Sequence, residues 1–104
     1  MYKLTCAIAF FLALTVPEQG FGADKELGET KYKKTCISCH GKAGKGAASF
    51  PKISGNPISY TTEKLKAYRE GLKQGPNSAL MIMKAKPLTD EEIDNLAAYL
   101  QGAE

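Results

Sequence analysis

The sequence predicts an all-α domain of three to four short helices, on three observations. Apolar residues recur at helical spacing in separate segments of the chain. A Thr-x-x-Glu signature, Thr89 to Glu92, marks the start of a final helix. No stretch alternates polar and apolar residues as a half-buried strand does, and no internal repeat is present. At 104 residues the chain has room for one such domain.

The first segment reads as an address. Lys3 precedes an apolar run of 13 residues, Leu4 to Val16. That is too short for a membrane span of about 20 residues and fits the core of a signal peptide. Gly20 and Gly22 supply small residues at the two positions that matter, so cleavage is expected after Gly22. Residues 1–22 are then the signal peptide and 23–104 the domain. Cleavage after Ala23 and an uncleaved anchor are the alternatives.

A first helix is expected from Asp24 to Cys39. Leu27, Tyr32 and Cys36, with Gly28 between, lie near one stripe, and Lys31, Lys33 and Lys34 face water. Glycine costs about 1 kcal/mol in a helix interior relative to alanine, so Gly28 calls for a packing reason such as a close helix crossing. Residues 41–49 are small and Gly-rich without periodicity, a loop able to lie flat against the edge of a large planar group. Pro51 stiffens the apolar stretch Phe50 to Ile53 and leaves its carbonyl free to accept a hydrogen bond. A helix over residues 58–72 would place Ile58, Leu65, Tyr68 and Leu72 on one side and Lys64, Lys66, Arg69 and Lys73 on the other. Gly71 and Gly75-Pro76 end it. Residues 77–87 form a short apolar turn or single helical turn carrying Met81 and Met83. The last helix, opened by Thr89, has Ile93, Leu96, Ala97 and Leu100 on one face with Tyr99 beside them, and Gly102 closes it.

The chemistry is concentrated in Cys36-Ile37-Ser38-Cys39-His40. Two thiols one helical turn apart share a face. Each can add to one vinyl group of a single haem, and the adjacent imidazole is placed to bind the iron. A zinc site would need two more ligands, yet His40 is the only histidine and no cysteine follows Cys39. A thioredoxin-like pair would need a βαβ context, which the sequence lacks. With Cys6 removed by cleavage, haem attachment consumes both remaining cysteines. A domain of about 80 residues buries only about 60% of its unfolded surface, so a central haem would complete the core and the apo-protein should be poorly folded. Met81 and Met83 are the candidates for the second axial position, and bis-histidine ligation within this chain is excluded.

In these motifs the sequence resembles the small monohaem class I cytochromes c of the bacterial cytochrome c-553 kind, and one half of the dihaem cytochromes built from that domain. The marks run in order through the domain: Gly28-x-x-x-Tyr32, the Cys36 to Gly41 motif, Pro51-Lys52-Ile53-Ser54-Gly55, then Tyr60, Leu65 and Tyr68. Met81 with Ala85 and Leu88, Thr89 to Ile93, and Ala97 to Leu100 complete them. Asn56 departs from the pattern, standing where many relatives carry glutamine. The resemblance implies an all-α class I cytochrome c fold around one covalent haem c, its first and last helices crossing with Gly28 and Tyr32 against the Tyr99 face. It implies His40 and a methionine as axial ligands, a Pro51 carbonyl accepting from the His40 ring, and Ile53 packed on the haem face. In the closest-looking relatives the ligand sits eight residues before the residue that caps the last helix, which selects Met81. Some small cytochromes place it six residues before, which would select Met83.

The expected function is therefore shuttling of single electrons between redox proteins in the periplasm, by a monomer without stable membrane insertion after cleavage. No general acid/base pair or nucleophile stands out, so no enzyme activity is expected. A haem subunit of a larger oxidoreductase, such as a sulfide-oxidising flavocytochrome, is the nearest alternative; a haem-based gas sensor and a haem-free metal module are more distant ones. Removing residues 1–22 takes away one lysine and one glutamate, so the net charge stays +3, too weak to suggest nucleic acid. Lys42, Lys45, Lys52, Lys84 and Lys86 fall in segments expected to border the haem pocket and would steer an acidic partner.

Overall fold

The computed structural model describes residues 23–104, and the expected signal peptide lies outside them. Five α-helices form: α1 (Lys25–Thr35), α2 (Ile37–His40), α3 (Ile58–Arg69), α4 (Ser78–Ala85) and α5 (Asp90–Gln101). A 3₁₀ turn over Lys42–Gly44 follows α2. Among the described residues no strand forms, only a lone bridge between Ala47 and Phe50. None of their helices is long and apolar enough to cross a membrane.

The crossing of α1 and α5 organises the domain. Asp24 caps α1 by accepting from the N–H groups of Glu26 and Leu27, while its own N–H donates to Asn95 Oδ1 at 2.8 Å. Gly28 lies at the point of closest approach. A Cβ built there would fall on the Asn95 carbonyl oxygen and lie 2.9 Å from Tyr99 Cβ. One turn on, Tyr32 is fully buried with its ring centroid 5.4 Å from that of Tyr99. The stripe is thus Gly28 and Tyr32; Leu27, expected on it, is 52% exposed. Lys31 Nζ closes the crossing with a 2.7 Å ion pair to Glu92.

The helix expected over residues 24–39 is two helices. Cys36 (φ −112°, ψ −32°) ends α1 by donating to Tyr32 O, and its own carbonyl accepts from Cys39 N and His40 N to start α2. The break lets Tyr32 face α5 while the Cys–His turn faces elsewhere.

At the other end, Thr89 and Glu92 form the expected capping box, with both reciprocal bonds 3.1 Å long. Ile93, Leu96, Ala97 and Leu100 are buried along α5. Tyr32, Ala85 and Leu88 complete the core with them, and Ile53, Leu65 and Tyr68 pack against it half-buried. The helix expected over residues 58–72 ends at Arg69, so Leu72 lies beyond it and is exposed; within α3 Ile58 is exposed despite its helical spacing, and Thr61 is the buried residue. Residues 78–85 make two full turns of helix where one turn was expected.

The Gly-rich loop packs against the protein at Gly44. Gly44, at φ +68°, lies so close to α5 that a Cβ would stand 2.8 Å from Leu100 Cδ2. Its carbonyl accepts from Ile53 N and Ser54 N, which fixes the segment carrying Pro51 and Ile53.

Candidate functional site

A cavity of about 520 Å³ opens between α2, α3, α4 and α5, within the range of small-molecule and cofactor sites. Cys36 lines it from the break between α1 and α2, Cys39 and His40 from α2, Pro51 and Ile53 from the following segment, and Leu65 and Tyr68 from α3. Met81 and Ala85 line it from α4, Leu88 from the link after it, and Leu96 and Leu100 from α5. All six residues singled out in the sequence (Cys36, Cys39, His40, Pro51, Ile53 and Met81) therefore meet at one cavity.

His40 is only 7% exposed. Its Nδ1 lies 3.0 Å from Pro51 O. A carbonyl can only accept, so Nδ1 is the donor in this contact and Nε2 is the nitrogen left over to meet a metal. The Phe50 ring stands edge-on, 6.2 Å away between centroids. His40 O accepts from Gly46 N at 2.7 Å, and Gly41 O accepts from the buried Tyr32 hydroxyl at 2.5 Å. The imidazole is thus held from its ring and from the backbone on both sides.

Cys36 and Cys39 are free thiols, not a disulfide. Burial, the largest influence, pushes the Cys36 thiol up to about 11. A redox-active pair of the thioredoxin kind needs a lowered value, the opposite of the direction in which burial moves Cys36. Among the described residues no group of three or more His, Cys, Asp or Glu could hold a bare metal ion. A large apolar cleft with two thiols one turn apart, and an imidazole with one nitrogen already committed, fits haem joined by two thioether bonds.

The two methionines separate. Met81 lines the cavity; Met83 does not and is 60% exposed. Met81, Lys84, Ala85 and Leu88 recur at three- and four-residue spacing along one face, from which Met83, two residues on, is turned away. The lysines separate too. Lys52 and Lys84 line the cavity, while Lys42, Lys45 and Lys86 do not. Lys64 takes a place there that its helical spacing had assigned to the solvent side. Asn56 also lines the cavity.

Sequence reasoning missed Gln74 and Ser78. Ser78, buried at the start of α4, donates to Gly75 O at 2.8 Å and accepts from Gln74 N at 2.7 Å. Gln74 Nε2 donates to Lys64 O in α3 at 3.0 Å. A serine just after Gly75-Pro76 at a helix start was the one available signal.

Fold and cavity together define a c-type haem protein. The family model described as Cytochrome c matches residues 25–104. Cytochrome c-554(548) of Halomonas halodenitrificans is 42% identical over 82 residues, covering 78% of this chain and 98% of that protein. Cytochrome c-553 of Desulfomicrobium norvegicum is 36% identical over 75 residues, covering 72% and 94%. Reduced cytochrome c4 from Pseudomonas stutzeri matches in structure with a TM-score of 0.66 at 29% identity, over 79% of this chain and 50% of that one. The chain belongs to the cytochrome c family, and is an electron-transfer protein with one haem c attached through Cys36 and Cys39.

Proposed function

We propose that this chain is a periplasmic carrier of single electrons between redox proteins, with His40 and Met81 as the axial donors. The observation that carries the assignment is the presence of Met81, and not Met83, on the wall of the cavity that His40 also lines. Bound haem iron supplies the one-electron couple; the chain supplies donors, orientation and dryness. Pro51 O holds the His40 ring through Nδ1, which leaves Nε2 as the nitrogen that would bind the iron. The Met81 thioether, a soft donor, would favour reduced iron and would occupy the position that a substrate or gas needs. Ile53, Leu65, Leu88, Leu96 and Leu100 keep water from the site. In this reading the chain is a carrier and not itself an enzyme, as its likeness to cytochromes c supports. Residues 1–22 act as a signal peptide and the domain is 23–104, because bacterial haem c is attached after export.

The mouth supports a monomeric carrier over a permanent subunit. Tyr60 and Leu80 line the cavity yet are 49% and 51% exposed, and Lys52, Lys64 and Lys84 line it with them. A modest apolar spot rimmed by positive charge suits brief contact with an acidic partner. Electron transfer to ferricyanide, an anionic oxidant, should slow several-fold between about 0.01 M and 1 M ionic strength, as the screening length falls from about 30 to 3 Å. Lys84→Glu should flatten that dependence more than Lys34→Glu, which changes the same charge on α1 away from the cavity. Equal effects from the two variants, or rates indifferent to salt, would remove the lysine mouth.

A further inference from the structure

We infer that Arg69 is a positioning residue for the distal donor: its clamp on the α4–α5 link sets how readily the Met81 thioether leaves the iron. The inference rests on the assignment of Met81 made above. Arg69 is the last residue of α3, on the side that helical spacing assigned to water. Its guanidinium instead reaches across 19 residues of sequence, Nη1 donating to Leu88 O at 3.2 Å. Nη2 donates to Asp90 Oδ1 at 2.6 Å. That hydrogen bond and the Arg69 charge hold the Asp90 carboxyl below the usual carboxylate range.

The clamp acts on the segment through which Met81 is held. Ala85 lies one turn after Met81 on the same cavity-lining face and is fully buried. Leu88 N donates to Ala85 O at 3.0 Å, closing a turn whose last carbonyl is the one Arg69 holds. Leu88 is itself buried and lines the cavity. The start of α4 is fastened to α3 separately, through Ser78 and Gln74 to Lys64 O. Both ends of the helix that carries Met81 are therefore tied to α3, and Arg69 is the half-buried tie, whose loss need not empty the core. Its rigid planar fork is preorganised for two acceptors at once, whereas a lysine ammonium is a mobile point charge.

The test is ligand exchange in the ferric holoprotein, with imidazole as the probe. The thioether leaves, an imidazole nitrogen takes its place, and no electron moves. At saturating imidazole the rate reports departure of the thioether. Arg69→Ala should raise that limit about tenfold, the size of one charge-assisted hydrogen bond, and Arg69→Lys should recover only part of it. Lys31→Ala removes the α1–α5 ion pair, which does not touch α4. It should lower resistance to urea without changing the limit. Arg69→Ala that loses stability but exchanges like the wild type makes Arg69 merely structural and overturns the proposal. Met81→Ala separates the two claims. If its exchange matches the wild type, the Met81 assignment fails and this inference falls with it. If it exchanges at once while Arg69→Ala stays at the wild-type limit, only the clamp fails.

Discussion

Gly28→Ala should cost the holoprotein about 3 kcal/mol of stability or more, enough to lower its yield sharply. On propensity alone the change should help, since alanine is favoured over glycine in a helix by about 1 kcal/mol. Packing opposes it and wins. The new methyl group would overlap the Asn95 carbonyl and crowd Tyr99 Cβ. One obstacle is backbone, so no rotamer change relieves it and the helices must separate. Overpacking of a well-filled core costs typically about 1–3 kcal/mol, and separation here would also loosen the Tyr32–Tyr99 pair and the Asp24–Asn95 bond. For a domain near the lower end of the usual stability range of about 5–15 kcal/mol, that is a large share. Gly102→Ala is the control, because a Cβ there meets nothing within 4 Å, and should fall within about 0.5 kcal/mol of the wild type. Urea unfolding of the two variants checks the claim. A neutral Gly28→Ala would mean that the crossing is looser than described.

The protein without haem should not hold this fold. Leaving a cavity of about 520 Å³ open, at about 24 cal/mol per Å³, would cost on the order of 10 kcal/mol, comparable to the whole stability of a small domain. The walls therefore collapse or unfold instead. The Cys36→Ser, Cys39→Ser double variant, which cannot attach haem covalently, should retain part of its helical far-UV signal at most. It should lack the near-UV signature of packed tyrosines and show no cooperative thermal transition. A double variant freed of haem that still melts cooperatively with native tyrosine signals would show that the helices make a sufficient core alone.

Several parts of this architecture were legible in the sequence because their cause is local. The Cys36 to His40 spacing, the Thr89–Glu92 box and the Ile93, Leu96, Leu100 stripe each need only one or two turns of helix to be read. Gly28 was legible because a glycine inside a helix calls for a tertiary reason. The roles of Pro51 and Ile53 came from resemblance to a family, and the preference for Met81 from that resemblance together with the turn expected over Asn77 to Leu80, which brings the next residue inward. What stayed hidden depends on partners distant in the chain. Leu27 and Ile58 fit helical stripes yet lie beyond the strip their short helices bury, and Leu72 falls past the end of α3. The break at Cys36 follows from two demands, α1 on α5 and the thiols on the cavity, that no local propensity records. Arg69, Gln74 and Ser78 look like solvent and turn residues until their acceptors on Leu88, Lys64 and Gly75 are known.

The paired substitution of the two methionines tests the central claim most directly. In the ferric wild type, a thioether bound to haem iron gives a weak charge-transfer band at the red edge of the spectrum, a mark of methionine ligation in this family. Met81 lines the cavity and Met83 points away from it. Met81→Ala should therefore abolish the band, lower the midpoint potential and open the ferrous iron to carbon monoxide, while Met83→Ala keeps the band and excludes carbon monoxide. Loss of the band in Met83→Ala alone, or its survival in both variants, would contradict the account.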